Sequence, residues 1–176
     1  INEAKSLYST ISETKISRGS NRDGIIAACV YFSCKECDVP RSSKEIADIF
    51  NINITVMTKG CKNFQEIMNL NKKNKTRIQN RSIHPNDFID RFADNLSIDI
   101  KRVKTICKVA LENNIISQNT PQSIAAGCIY YYIKRNKLNI PKKDLSDVCK
   151  ISEVTINKCF KKIEEHNDLF NEYFEN

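Results

Sequence analysis

The stretch G-I-I-A-A-C-V-Y-F at residues 24–32 returns as Q-S-I-A-A-G-C-I-Y-Y-Y at 122–132. At a shift of 99 residues, Ala27, Cys29, Val30 and Tyr31 fall on Ala126, Cys128, Ile129 and Tyr130. The same shift lays Ile46 and Ile49 of K-E-I-A-D-I over Leu145 and Val148 of K-D-L-S-D-V. A V-P or I-P step (Pro40, Pro141) precedes each of these segments. Farther on, a shift of 96 places Phe64 on Phe160. Ordered matches with small changes of shift mean two copies of one unit that differ in loop length. A chain of 176 residues has room for two units of roughly 90 residues each. The expected division is a first repeat over 1–70, a basic linker over 71–83 and a second repeat over 84–176.

Every segment of both copies reads as helix. Residues 21–37 are apolar on nearly all sides (Ile25, Ile26, Ala28, Cys29, Val30, Phe32), as in a helix surrounded by others. Residues 120–135 repeat this, with Thr120 placed to cap and Pro121 at the first helical position. Ser42-Ser43-Lys44-Glu45 supplies a capping box for a short helix over about 42–50, and Ser152 caps one over about 153–165. Two further helices, about 85–95 and 99–113, precede the buried helix of the second copy. Only one, about 2–14, precedes that of the first. The first repeat is therefore expected to lack its opening helix. No strand-like alternation is sustained anywhere, so the fold class is all-α.

The cysteines fit this reading. A-C-V-Y-F-S-C-K-E-C contains Cys34 and Cys37 spaced as C-x-x-C, which suggests half a zinc site or a redox pair. In the second copy, however, Ile133 stands opposite Cys34 and Asn136 opposite Cys37. A packed helix tolerates such an exchange and a metal site does not. Cys29, Cys34, Cys107, Cys128, Cys149 and Cys159 lie among apolar residues, where free cysteine acts as a small hydrophobe. A reducing compartment suits them. A redox or zinc protein built on Cys34 and Cys37 would need ligands that the surrounding sequence does not supply.

Charge narrows the partners. The chain carries a net +7, with a pI near 9.0, a common footprint of nucleic-acid or acidic-protein partners. The excess sits in the first half, and the densest run spans 59–81, where seven cations face only Glu66. The 25 Ile, 20 Lys and 20 Asn against 4 Gly and 8 Ala suggest an A/T-rich genome. No Gly-rich phosphate loop, G-x-S-x-G or H-E-x-x-H motif is present, and neither His84 nor His166 has a catalytic setting. Catalysis is not expected. No apolar run approaches the roughly 20 residues of a membrane span.

These residues resemble a known family. V-P-R-S-S-K-E-I in the first copy, T-P-Q-S-I-A-A-G-C-I-Y and S-E-V-T-I-N-K-C-F in the second, and H-P-N-D-F-I-D-R-F-A-D-N-L opening the second are similar to the core of transcription factor IIB. The resemblance covers essentially the whole chain. It implies two tandem cyclin-like repeats of five helices that clamp the TATA-binding protein on bent promoter DNA and help recruit RNA polymerase. It implies a monomer that works in the nucleus, or in a cytoplasmic virus factory if the gene is viral. Full-length members carry a zinc ribbon ahead of the repeats. No C-x-x-C…C-x-x-C precedes residue 28, so no cofactor is expected here and zinc would belong only to that ribbon.

The resemblance also assigns roles. The last two helices of each repeat form a helix-turn-helix whose second member can turn its first residues toward base edges. In the second repeat those are Glu153, Val154, Thr155, Asn157 and Lys158. The family reads an element upstream of TATA with a Val and, three residues on, an Arg. Val154 matches, and Asn157 stands where the Arg would be. Arg favours guanine and Asn adenine, so either the preference moves toward A·T or base reading is weak. The corresponding residues of the first repeat are Thr58, Lys59, Cys61 and Lys62. Lys62 lacks the planar fork of Arg, which points to phosphate contact rather than base reading. Lys72, Lys73, Lys75, Arg77 and Arg81 of the linker are candidates for phosphate or for an acidic face of the TATA-binding protein. Lys142, Lys143, Lys161 and Lys162 follow the same logic. Against this stand plainer readings: a solvated linker, a last helix that only packs on its own repeat, or a cyclin-like adaptor without DNA binding, for example one regulating a kinase.

Overall fold

The structure is a computed structural model and describes residues 1–70 and 82–174. Among these the chain is helical throughout, with nine α-helices, one 3-10 segment and no strand. The linker cations Lys72, Lys73, Lys75, Arg77 and Arg81 lie outside the described residues. The chain divides into two compact units, Ile1–Ile83 and His84–Asn176. None of the described helices is long and apolar enough to cross a membrane.

The first unit contains α1 (Asn2–Thr14), α2 (Ser20–Glu36), α3 (Ser43–Ile49) and α4 (Ile54–Leu70). Helix α2 is its centre and packs against the other three. Leu7 and Ile11 of α1, Ile25, Cys29 and Phe32 of α2, and Phe64 and Ile67 of α4 form one core. Phe32 stacks on Phe64 with ring centres 4.3 Å apart. Ala27, Ile46, Ala47 and Met57 form a second cluster under α3. Two glycines set the distance between α2 and α4. A methyl group on Gly60 would run into the backbone of Gly24, and one on Gly24 would sit 2.7 Å from the Val56 carbonyl oxygen. Side chains at these two positions would force the helices apart.

The second unit contains α5 (Asn86–Asn95), α6 (Ile100–Glu112), α7 (Pro121–Arg135), α8 (Lys142–Cys149) and α9 (Glu153–Glu164), then a 3-10 segment, Asn167–Tyr173. Every residue of α7 from Gln122 to Ile133 is buried, because α5, α6, α8 and α9 all pack on it. The close approach recurs here from a different position: a methyl on Gly127 would lie 2.5 Å from Cβ of Cys159 on α9. The 3-10 segment closes the unit by burying Phe170 against Tyr131, whose hydroxyl donates to Oδ1 of Asn167 at 2.7 Å.

The copies agree in backbone as well as in sequence. Left-handed residues follow the central helix at Asp38 (φ 59°) and Lys137 (φ 51°). They also fill the turn between the last two helices at Asn51 (φ 50°) and Lys150 (φ 54°). Both pairs are separated by the same 99 residues that align the sequences. The capping residues act as their spacing predicts. Ser42 Oγ accepts from the Glu45 amide while Glu45 accepts from the Ser42 amide. Thr120 caps α7, and Ser152 caps α9.

One cysteine differs from its reading as core. Cys34 is only half-buried, at the rim of α2, while Cys29 is buried and Cys37 exposed. Burial pushes the Cys29 thiol up to about 12 from 9.0, so it stays protonated. Among the described residues no three of His, Cys, Asp and Glu gather in a way that would hold a metal ion.

Candidate nucleic-acid interface

In the second unit the turn between α8 and α9 is fixed from three sides. Lys150 takes the left-handed conformation, Gln122 Nε2 donates to the Cys149 carbonyl at 2.6 Å, and Ser146 Oγ donates to the Ile151 carbonyl at 2.6 Å. Ser152 Oγ then accepts from the Thr155 amide at 3.3 Å and starts α9. The apolar residues Ile156, Cys159 and Ile163 are buried. By helical spacing this turns Val154, Lys158 and Lys161 outward together, and all three are exposed. Val154 is 65% exposed.

Two other residues expected on this face are already engaged. Thr155 is half-buried, and its hydroxyl lies 2.9 Å from Ser152 Oγ within the cap. Asn157 is half-buried, and its Oδ1 accepts from Nζ of Lys142 at 3.5 Å. Lys142 itself lies over the Tyr130 ring, 5.4 Å from its centre. Lys143 is exposed beside it. Lys162 is turned elsewhere, bonding Asn119 Oδ1 at 3.3 Å. The face is thus narrower than the sequence suggests, an apolar tip at Val154 followed by Lys158 and Lys161.

The first unit repeats the geometry with different chemistry. On α4, Met57, Gly60, Phe64, Ile67 and Met68 face inward, leaving Thr58, Lys59 and Lys62 exposed. Thr58 spends its hydroxyl on the Ile54 carbonyl at 2.8 Å. Cys61 does not join this face. It is half-buried against both apolar clusters of the unit, and burial pushes its thiol up to about 11. His84 and His166 are exposed and take part in local bonds at helix ends, the His84 ring accepting from the Asn86 amide at 3.2 Å.

A further basic group was not singled out in the sequence. Lys15, Arg18 and Arg22 line a cavity of about 350 Å³ between the end of α1 and the start of α2, with no carboxylate in its lining. Arg22 Nε donates to the Tyr8 hydroxyl at 3.1 Å. Helix α2 starts there at Gly19 (φ 54°) without a side-chain cap, and the Arg22 and Asp23 amides donate to the Gly19 carbonyl. The signal in the sequence is three cations between Glu13 and Asp23 without an acid. The denser run at 59–81 obscured it.

Two compact helical units, alike in helix order and in left-handed turns, define a protein of the tandem cyclin-like repeat class. The family described as "Transcription factor TFIIB repeat" matches the chain twice, over residues 1–67 and 78–166. The chain belongs to that family. A transcription initiation factor IIB-like protein of Acanthamoeba polyphaga mimivirus is 37% identical over 177 residues, covering 91% of this chain and 38% of that protein. Transcription initiation factor IIB of Glycine max is 30% identical over 93% of this chain and 52% of its own length. Transcription initiation factor IIB 1 of Thermococcus kodakarensis is 26% identical over 95% of this chain and 55% of its own length. The chain spans about half the length of the cellular relatives, and less of the viral one.

Proposed function

We propose that this chain is the core of a general transcription initiation factor. In this reading it binds the complex of TATA-binding protein and promoter DNA and bridges it to RNA polymerase. The observation that carries the proposal is the capped α9 of a TFIIB repeat, which turns Val154, Lys158 and Lys161 outward from a fixed helix-turn-helix. Cations on such a face contact phosphate, and an apolar tip fits a thymine methyl. Lys59 and Lys62 of the first unit, and the group Lys15, Arg18 and Arg22, serve as phosphate contacts in the same account. The factor acts as a monomer, in the nucleus or in a viral transcription compartment.

A gel-shift assay tests this. The chain adds a slower band to a complex of TATA-binding protein and TATA duplex, and rising salt removes that band. Absence of the band at low salt contradicts the proposal and favours a cyclin-like adaptor without DNA binding.

A further inference from the structure

Asn157 is the one amide side chain of α9, half-buried at the edge of its outward face, and its oxygen is turned toward Lys142. An ammonium group carries three donors and no acceptor, so Lys142 meets only the carbonyl oxygen of the amide. That contact, at 3.5 Å, favours the orientation in which the amide oxygen faces α8. Lys142 is kept in place by its own neighbours. It stands at the first turn of α8, half-buried, over a Tyr130 ring that is 5% exposed and meets Phe160 edge-on at 5.1 Å. No ion pair of Lys142 occurs among the described residues. The line Phe160–Tyr130–Lys142–Asn157 therefore ties α7, α8 and α9 to the orientation of one side chain.

An asparagine reads adenine by accepting from its amino group while donating to N7. Here the accepting half faces an ammonium 3.5 Å away. The oxygen keeps a second lone pair, but a base amino group reaching for it would meet the positive charge of Lys142. What remains to face a base is the amide NH₂ and the spare donors of the ammonium. We propose that Lys142 is a positioning residue that makes α9 a donor-only reader, directing Asn157 to the acceptor edge of guanine (N7 and O6) rather than to adenine. This rests on the reading of α9 as the groove-facing helix.

Selection from TATA duplexes with randomised flanks, bound together with the TATA-binding protein, tests it. The unmodified chain enriches guanine over adenine about tenfold at one flanking position. Lys142→Met moves that position to adenine, Lys142→Arg keeps guanine, and Asn157→Ala abolishes the preference. In the free protein, the Asn157 side-chain NH₂ resonances shift in Lys142→Met and return toward their original place in Lys142→Arg. Enrichment of adenine by the unmodified chain overturns the inference, as does a Lys142→Met selection identical to it. Either result leaves promoter binding standing. Failure to bind the TATA-binding-protein–DNA complex at all removes the underlying reading and the inference with it.

Discussion

Single residues carry the tightest constraints in this molecule. Gly60 lies where α4 crosses α2 with no room for a methyl group, because its neighbour is the backbone of Gly24 and cannot swing aside. Gly60→Ala gains up to about 1 kcal/mol of helix propensity. The collision costs more, and a net loss of about 1–3 kcal/mol is expected in denaturant unfolding. An unchanged midpoint would show that the helices separate freely. The buried thiols give a prediction with pH. Cys29 and Cys61 ionise in the native state at about 12 and about 11, against 9.0 for an ordinary thiol. The native state thus holds protons that the unfolded chain releases. Their stabilising contribution is fully present below pH 9 and is lost as pH rises from 9 toward 12. Tyr31 and Tyr131, raised by burial, act in the same direction. Urea midpoints should be level between pH 7 and 8 and fall by pH 10, with a smaller fall in Cys29→Ala. Residues of this kind were only partly legible in the sequence. The interior place of Cys29 followed from its match to Cys128. The turning inward of Cys61 did not, because its neighbours Lys59 and Lys62 are charged and only the position of Gly60 against Gly24 shows which side of α4 faces in.

Elements were the most legible level, since caps and periodicity act locally. Thr120-Pro121, Ser42 with Glu45, and Ser152 all begin helices as their chemistry requires. The 3-10 segment Asn167–Tyr173 was missed. It has no helical stripe and no cap, and it is held by Phe170 packing on Tyr131 and by two bonds from distant residues, Tyr131 to Asn167 and Arg135 to Asn171. Tertiary contacts of that sort leave no periodic trace. The engagement of Asn157 was hidden for a similar reason, since Lys142 lies fifteen residues earlier on another helix. At this scale the test is the cap of α9. Ser152→Ala should lower stability by about 1 kcal/mol. It should also weaken promoter binding, because Val154 and Asn157 stand in the first turns that the cap orders. Binding unchanged alongside lowered stability would place the contact farther along the helix.

For the whole molecule, the two units repeat one another in sequence and in backbone, yet they present different faces. The second shows Val154 with Lys158 and Lys161, a surface suited to base edges and phosphate together. The first shows Lys59 and Lys62 on α4 and, separately, Lys15, Arg18 and Arg22, a surface of cations alone. That division was only half visible beforehand. Net charge located the basic half, but the grouping of Lys15, Arg18 and Arg22 around one cavity depends on how α1 turns into α2. If both units meet phosphate, each cation that does so steepens the salt dependence of binding. Arg18→Ala should reduce the slope of log affinity against log salt by about one, uniformly across promoter sequences. An unaltered slope would remove that cavity from the DNA-facing surface.

Hydroxyl-radical footprinting of a TATA duplex carrying the TATA-binding protein, with and without this chain, tests the central claim most directly. The account predicts new protection flanking the region covered by the TATA-binding protein, on one side lost when Lys158 and Lys161 are both replaced by Ala. A footprint identical to that of the TATA-binding protein alone, under low salt and with the chain in excess, would contradict it.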